Sequence, residues 1–550
     1  MKLTEERLRR AIKTADRRYY DMIAERIAES RTASRKGRRH MANTEHTHHI
    51  KKFAVGAILA AAVLGGGGII AAVAMRGHNG GTHYDYSDVQ KELQESSENA
   101  VQSFPKLTLT DQQWNPAEHE AIVNGADGAW FIPTEDGVYH SFLQHTYPSD
   151  GEFMEAYMDA ERAYEETHKL YGNTAAIPVF FTAADTKEST PLCARPNCLH
   201  DGNEYCEATT GQYYHSGLVS YDGVIYAAAT GISTAESNWK TGAYLLSYAP
   251  DGTALDVLCD FGIDYAGVCC SPVIHRGYVW CIFQKTIPNE PLDPVRGMIN
   301  GFSSGYVIVG YEIATGKTVE VYSSMPEAGS GKSYQLPAAF TASGDRLYYL
   351  QVGGSWPSVN VKGIFSVDLV TGKHEHIITE NYCSVFTVAG DKVYYRDPSD
   401  SNSTADLSVY DIHTGETETC IKNFSGYHIV TDGEMFCIAK AEYSEYDPHY
   451  SVLLTDLQGN KLGEVRAPEG RVLRQVAVYG DDVYICTGGG LRYERGHVFE
   501  SYGTKAQNSE VFRCSKAAIL AGNAEWEAIA TLQENIEIDM DAWRAEHPSE

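Results

Sequence analysis

Alternating apolar and polar residues recur after about residue 120, in short runs centred on a glycine turn. SYDGVIYAA, ASGDRLYYL and VYGDDVYIC are examples. Period-two alternation around glycine predicts a β-hairpin with one buried face, because glycine accepts the left-handed backbone of a tight turn. Six such hairpins are predicted. Their turn glycines are Gly223, Gly277, Gly344, Gly390, Gly433 and Gly480.

A second hairpin follows each of the first five at a similar offset. Its turn glycine comes 25 to 39 residues after that of the first hairpin. Two hairpins give four antiparallel strands, and a small twisted sheet of this kind buries both faces only between neighbouring sheets, as in a β-propeller. The second glycines are Gly252, Gly316, Gly372, Gly415 and Gly459.

Two further units extend the repeat at its ends. GAWFIPTEDGVYHSF with AAIPVFFTAADTKESTPLC precedes it, and VYGDDVYIC with EVFRCSKAAIL and AEWEAIATL ends it. We therefore predict an all-β fold in which residues 121–530 form a β-propeller of seven four-stranded blades. Six or eight blades are the alternative counts. Separate β-sandwich domains would also give short strands, but they would not explain the paired offset.

A continuous apolar stretch, residues 53–75, lies ahead of the repeats. Its 23 residues carry no charge, and a helix of this length spans a hydrocarbon core of roughly 30 Å. We predict one transmembrane helix; a cleaved signal peptide is the alternative, but the preceding 52 residues exceed its normal charged leader. Residues 76–120 are predicted to be a stalk outside the cytoplasm, and residues 531–550 an acidic tail.

Charge is distributed unevenly about this stretch. Residues 1–52 contain 15 Lys and Arg against 7 Asp and Glu, whereas the remaining residues contain 30 against 66. Basic residues before a membrane helix retain that side in the cytoplasm, so we expect a cytoplasmic N-terminus and a propeller outside the cell membrane. An acidic propeller repels nucleic acid, and we expect no nucleic-acid partner.

Residues 4–30 place apolar side chains every three or four positions, which predicts one amphipathic helix. Its apolar stripe could bind a cytoplasmic protein, a second copy or the inner membrane surface; a merely solvated segment is the alternative. LTEERLRRAIKTADRRYYDMI, followed by a basic stretch and one membrane helix, resembles the N-terminal segments of membrane-bound anti-sigma factors of Gram-positive bacteria. This resemblance implies a regulator that signals across the membrane.

The densest group of reactive side chains is PLCARPNCLHDGNEYC, which contains Cys193, Cys198, His200 and Cys206. Three thiolates and one imidazole can complete the tetrahedral shell of a structural zinc ion. Outside the cell, a disulfide between Cys206 and either of the other two cysteines is the alternative. Both interpretations stay open. The other nine cysteines lie mostly in strand-like runs, where a thiol serves as a small apolar residue.

This segment resembles a cysteine and histidine signature that follows the first blade in uncharacterised propeller-bearing membrane proteins and lipoproteins of clostridial bacteria. The resemblance extends over residues 120–530 through the repeated GDxxYY and TGK turns. It implies a propeller of seven or eight blades outside the cytoplasm, with an unknown ligand. The chain differs from the lipoprotein members because it has a membrane helix in place of a lipidated cysteine.

Catalytic motifs are weak. GFSSG places Ser303 in the nucleophile position of G-x-S-x-G, but we expect it in a glycine-rich loop rather than at the required strand–elbow–helix turn. We therefore expect a module that binds a glycan, peptide or protein of the cell envelope, rather than an enzyme. A carbohydrate-active enzyme and a transmembrane regulator are the alternatives. The longest predicted loops, 147–176 and 284–305, are candidates for the binding face.

Overall fold

The computed structural model describes much of the chain after residue 103. The described residues are 104–115, 122–123, 130–134, 136–141, 159, 179–195, 198, 206, 208, 213–231, 240–288, 302–325, 333–334, 336–351, 358–359, 363–379, 385–397, 405–442, 449–469, 471–487, 492–494, 497–499, 509–533, 543–545 and 547. The predicted helix 4–30 and the predicted membrane helix 53–75 lie outside them. Within these residues, no helix has the length and apolar character needed to cross a bilayer.

Among the described residues there are eight β-sheets, and seven of them follow one another along the chain, each forming one blade of a propeller. Blade 1 contains β1 (Ile122–Val123), β2 (Trp130–Pro133), β3 (Gly137–Ser141), β4 (Val179–Ala183) and β5 (Ser189–Pro191). Blade 2 contains β6 (Tyr213–Tyr221), β7 (Val224–Gly231), β8 (Ala243–Tyr248) and β9 (Leu255–Asp260). Blade 3 contains β10 (Ala266–Val268), β11 (Val273–His275), β12 (Tyr278–Pro288), β13 (Phe302–Glu312), β14 (Thr318–Ser324) and the short β15 (Ser333–Tyr334).

The remaining blades are more regular. The next strands are β16 (Pro337–Ser343), β17 (Arg346–Gln351), β18 (Ser358–Val359), β19 (Gly363–Asp368) and β20 (His374–Ile378), and all but β18 form blade 4. Blade 5 contains β21 (Phe386–Ala389), β22 (Lys392–Asp397), β23 (Ala405–Asp411) and β24 (Thr417–Phe424). Blade 6 contains β25 (Gly426–Thr431), β26 (Met435–Glu442), β27 (His449–Asp456) and β28 (Lys461–Arg466). In the last part, β29 (Leu473–Tyr479), β30 (Asp482–Thr487), β33 (Ser509–Ser515) and β34 (Glu527–Gln533) form blade 7, β31 (Arg492–Glu494) pairs with β32 (His497–Phe499), and helix α1 (Lys516–Ala521) joins β33 to β34.

The prediction of an all-β propeller with seven blades is confirmed. Successive strands of a blade are antiparallel neighbours, as in blade 4. The first strand of each blade contacts the first strand of the next blade, and β1 contacts β29 of the last blade. The sheets therefore surround one centre instead of forming separate sandwiches. Blade 3 departs from the plan because its first strand is split into β10 and β11, which both pair with β12.

The glycines predicted at the hairpin turns adopt the left-handed backbone. All eleven have a positive φ, for example 60° at Gly344 and 74° at Gly372. Blade 7 has no second glycine hairpin because α1 makes that connection. The Ser515 side chain accepts a hydrogen bond from the backbone N–H of Ala518 and caps this helix, and Gly522 ends it with a φ of 70°.

The hydrophobic core lies between neighbouring blades. One cluster of buried side chains joins blades 2, 3 and 4, and further clusters join blades 1 and 2, 4 and 5, 5 and 6, and 6 and 7. Trp280, Phe283 and Tyr349 are among the largest fully buried side chains. A single small sheet cannot exclude water from both of its faces, so each blade depends on its two neighbours.

The ring closes where blade 7 meets blade 1. Phe131 and Val138 of blade 1 share a buried cluster with Tyr484, Val511 and Ile529 of blade 7. Among the described strands, blade 1 contains only strands from the start of the propeller and blade 7 only strands from its end. Within the described part of the chain, side-chain packing therefore closes the ring without a strand that the two ends share.

Residues 104–115, which belong to the predicted stalk, pack against turns of the propeller. We call these residues the strap. The backbone N–H of Thr110 donates to the carbonyl oxygen of Arg276 at 3.0 Å. The backbone N–H of Gly344 donates to the side-chain oxygen of Gln113 at 3.2 Å. The strap thus joins the first hairpin turns of blades 3 and 4.

His275 fixes the end of the strap. Its Nδ1 accepts a hydrogen bond from the backbone N–H of Trp114 at 3.0 Å, and its Nε2 donates to the carbonyl oxygen of Gly344 at 2.9 Å. These partners require a neutral imidazole with its proton on Nε2, because a protonated Nδ1 cannot accept. Burial lowers the pKa of His275 to about 4, which preserves this state at neutral pH.

Phe131→Ala should lower the free energy of unfolding by about 3–5 kcal/mol, because it leaves a cavity in the interface that closes the ring. Urea denaturation of the full chain in detergent, followed by tryptophan fluorescence, measures the change. The control is Leu462→Ala, at a side chain that is 42% exposed; it should change stability by less than about 0.5 kcal/mol. Equal losses in the two variants would contradict a stabilising contact between blades 1 and 7.

Stability should also fall as the pH is lowered from 6.5 towards 4. Over this range unfolded His275 takes up a proton that folded His275 does not accept until about pH 4. The destabilisation is absent above pH 6.5, grows as the pH falls, is complete below pH 4, and corresponds to about 3 kcal/mol. His275→Gln can keep both hydrogen bonds without titrating, so its urea midpoint should depend less on pH. Identical pH curves for the two proteins would refute this assignment.

Candidate functional site

The cysteine-rich segment connects blade 1 to blade 2. Cys193 comes two residues after β5, and Cys198 lies in a turn where its backbone N–H donates to the carbonyl oxygen of Arg195 at 3.3 Å. Cys206 is buried and precedes β6. His200, the fourth predicted ligand, lies outside the described residues.

The structure brings the three described cysteines together. The Sγ atoms of Cys193, Cys198 and Cys206 all lie within 4.8 Å of one another. In a tetrahedral zinc site, Zn–S bonds of about 2.3 Å place the sulfur atoms about 3.8 Å apart. The arrangement is therefore close to the one that a metal ion held by three thiolates requires.

Val179 binds both ends of this segment through backbone hydrogen bonds. The N–H of Leu192 donates to the carbonyl oxygen of Val179 at 2.8 Å, and the N–H of Val179 donates to the carbonyl oxygen of Ala208 at 2.7 Å. Val179 begins β4 and is fully buried. Since Cys193 and Cys206 lie one and two residues inside these bonds, the fold itself brings their side chains close together.

The segment also contacts the outer turn of blade 2. The N–H of Ala194 donates to the carbonyl oxygen of Gly252 at 2.8 Å. Gly252 has a φ of 71°, and a Cβ there would lie 2.8 Å from the backbone nitrogen of Cys193, so the contact needs glycine. The hydroxyl of Tyr139 donates to the carbonyl oxygen of Pro250 in the same turn at 3.1 Å. The candidate metal centre therefore lies at the joint between blades 1 and 2.

Other described thiols are spread through the blades. Cys281 in β12 and Cys437 in β26 are fully buried, and burial raises the pKa of both thiols. Burial also raises the pKa of the partly exposed Cys259 to about 12. A protonated thiol is a poor nucleophile and a poor metal ligand, so these residues act as small apolar side chains.

The G-x-S-x-G sequence does not form a nucleophile elbow. The prediction that Ser303 lies in a loop is wrong: it lies in β13 and pairs with Ile287 of β12. Its side chain is fully buried, and the next described element is the strand β14. A nucleophile elbow needs an exposed serine between a strand and a helix, so the structure does not offer Ser303 for attack on a substrate.

The two faces of the propeller differ in the length of their connections. On the tight-turn face, two or three residues join the first and second strands of blades 2–7, and three residues join β2 to β3 in blade 1. On the opposite face, which we call the long-connection face, 37 residues (142–178) join β3 to β4 in blade 1, 13 (289–301) join β12 to β13 in blade 3, and 21 (488–508) lie between β30 and β33 in blade 7. Antiparallel strands place these two kinds of connection at opposite ends. The predicted loop 284–305 is too long, because residues 284–288 belong to β12 and residues 302–305 to β13. The predicted loop 147–176 lies outside the described residues except for Asp159.

Part of the long-connection face is an extension of blade 3. The long strands β12 and β13 pair as far as Pro288 and Phe302. β15 joins β13 in parallel at Ser304, and β18, from the connection within blade 4, joins β15. These strands connect the hairpin of blade 3 to blade 4, so part of this face is a hydrogen-bonded sheet.

The strap lies on the tight-turn face. Its partners Arg276 and Gly344 belong to first hairpin turns, and Phe104 packs against Gly372 in the second hairpin turn of blade 4, at the same end of the strands. Thus the chain reaches the propeller on the face opposite the long connections.

A buried chain of polar groups between blades 3 and 4 had no counterpart in the sequence predictions. The hydroxyl groups of Tyr306 and Tyr349 lie 2.9 Å apart, and that of Tyr349 lies 2.6 Å from Nε2 of His374. Tyr322 stacks on His374, with ring centroids 3.9 Å apart. Burial lowers the pKa of His374 to about 3 and raises that of Tyr322 to about 12. These enclosed, neutral groups link the two blades, and strand alternation alone does not distinguish them from apolar core residues.

No protein-family model and no curated protein matches the chain. Among solved structures, it is similar to the acylaminoacyl peptidase of Pyrococcus horikoshii, with 14% identity, 58% of this chain and 46% of that chain covered, and a TM-score of 0.37. The β-propeller domain of the trilobed protease from Pyrococcus furiosus is 13% identical, with 59% of this chain and 96% of that chain covered and a TM-score of 0.36. A prolyl endopeptidase is 10% identical, with 82% of this chain and 56% of that chain covered and a TM-score of 0.42.

The chain spans about half the length of the acylaminoacyl peptidases that it matches. The identities and TM-scores are too low to extend the peptidase activity of those proteins to this chain. The fold assignment rests on the order and pairing of the strands in this chain.

Proposed function

We propose that this protein is a membrane-anchored module that binds a ligand of the cell envelope on the long-connection face of its propeller. The observation that carries this proposal is the asymmetry of the two faces. In blades 2–7 the first turn has two or three residues, and in blade 1 the turn from β2 to β3 has three, whereas connections of up to 37 residues begin and end on the opposite face. Long connections on a rigid scaffold are the usual place of binding sites.

The strap is consistent with a ligand site on the long-connection face. It covers turns of blades 3 and 4 on the opposite, tight-turn face. The basic residues of 1–52 favour a cytoplasmic N-terminus and a propeller outside the cell.

The net negative charge of the chain after residue 52 limits the kinds of ligand that the propeller can bind. The chain after residue 52 carries 30 Lys and Arg against 66 Asp and Glu, which disfavours polyanions. A neutral glycan, or a peptide or protein segment with basic residues, meets this surface without charge repulsion. Binding of this kind requires no cofactor, and a zinc ion in the cysteine cluster would have a structural role.

Deletion of residues 53–75 should release the protein from membranes, because no other stretch of the chain is long and apolar enough to act as a membrane helix. Carbonate extraction of membranes from expressing cells measures this release. A deletion of 80–99, of similar length and within the predicted stalk, is the control and should leave the protein in the membrane pellet. Retention of the protein that lacks 53–75 would contradict the anchor.

Replacement of residues 289–301 by an Asn-Gly turn should weaken binding on the long-connection face, because it removes that connection and keeps the hairpin. The measurement is saturable binding of the full chain, in detergent, to arrays of cell-wall glycan fragments and of basic peptides. We expect the Kd of a positive spot to rise at least about tenfold. The control, Val370→Asp, changes a side chain that is 62% exposed on the tight-turn face and should leave the Kd unchanged. Absence of saturable binding to both arrays, or an unchanged Kd after replacement, would contradict the proposal.

A further inference from the structure

We propose that Cys193, Cys198 and Cys206 bind one zinc ion, which fastens the joint between blades 1 and 2. This site is independent of the ligand proposed above. It is built on three side chains that are separated by up to 13 positions in the sequence and brought within 4.8 Å of one another by the fold.

The convergence of three sulfur atoms favours a metal ion over a disulfide. A disulfide joins two sulfur atoms at about 2.05 Å and gives the third no function. No separation among the three sulfur atoms exceeds 4.8 Å, and this limit accommodates the sulfur spacing of about 3.8 Å around a tetrahedral zinc ion. The cluster is also partly enclosed, since Cys206 is buried while Cys193 and Cys198 are partly exposed. Such burial suits a structural ion that is shielded from solvent.

The ligand type selects the metal. Three thiolates bind soft or borderline ions such as zinc and do not suit calcium or magnesium, which prefer oxygen ligands. Each cysteine loses its thiol proton to solvent as its bond to zinc forms, so zinc is released as the pH falls. The sequence offers His200, two residues after Cys198, as a fourth ligand. His200 lies outside the described residues, so the proposal rests on the three cysteines.

The position of the cluster defines its role. The ends of the segment are already bonded to Val179 in blade 1, and Ala194 is bonded to Gly252 in blade 2. An ion that holds Cys193 to Cys206 would close the segment into a short loop and hold Ala194 against that turn. Because the loop cannot open without losing the ion, metal binding stabilises the joint.

The test is the zinc content of the full chain, purified in detergent without chelator and measured by mass spectrometry of the metal. We expect about one zinc per chain, and less than about one tenth of that in Cys198→Ser and in Cys206→Ser. The matched control is Cys420→Ser, at a half-buried cysteine in β24 outside the cluster, which should keep its zinc. Equal zinc content in Cys198→Ser and Cys420→Ser would overturn the proposal.

A second measurement remains informative if a variant fails to fold. The wild-type chain is stripped of zinc with a chelator and titrated with Co²⁺, whose bonds to thiolate give a charge-transfer absorption band. Appearance of the band at one equivalent, and its loss on adding zinc, supports the site. A chain that contains no zinc, gives no such band and is two hydrogen atoms lighter than its reduced form contains a disulfide instead, and this result would overturn the proposal.

Discussion

Burial of apolar faces between neighbouring sheets is the interaction on which this propeller depends. Each blade has only a few short strands, and its large side chains, such as Trp280 and Tyr349, are buried against the next blade. At roughly 25 cal/mol per Å² of apolar surface, burial on both faces of a sheet is what makes a small sheet stable. The arrangement must therefore be a closed ring, because an open end would expose one apolar face. Here Phe131 and Tyr484 belong to the cluster that covers it.

The same constraint explains where function can reside. Strands that pack on both faces leave only the ends of the strands free to vary, and the two ends differ in this chain. Short glycine turns leave little room for variation on the tight-turn face, and the strap covers this face at blades 3 and 4. The long-connection face is free to carry insertions without disturbing the core. The cysteine cluster lies where the chain passes from one blade to the next, which is the place where a cross-link stabilises packing between blades.

Features with a local cause could be predicted from the sequence. The turns at Gly344 and Gly415 could be recognised because glycine, the flanking polar residues and the alternating strands all lie within about ten residues. The strap could not be recognised, because its bonds join Thr108 to Tyr278 and Trp114 to His275, which are 170 and 161 positions away. Ser303 was misplaced for a related reason: a glycine- and serine-rich composition suggests a loop, and only pairing with β12 makes it a strand.

The candidate site was predicted in part. Spacing identified the group that contains Cys193 and Cys206, but their convergence depends on Val179, which binds both ends of the segment through its backbone. The sequence identified the long connections as gaps between hairpins. Their placement on one face follows from the strand order, which a local pattern does not contain.

Hydrogen–deuterium exchange of the full chain in detergent tests the closure of the ring most directly. Packing between blades 7 and 1 predicts that amides of β3 and β33 exchange as slowly as those of β17, which lies in blade 4. If β3 and β33 instead exchange much faster than β17, the two end blades lack a covering neighbour and the ring is open.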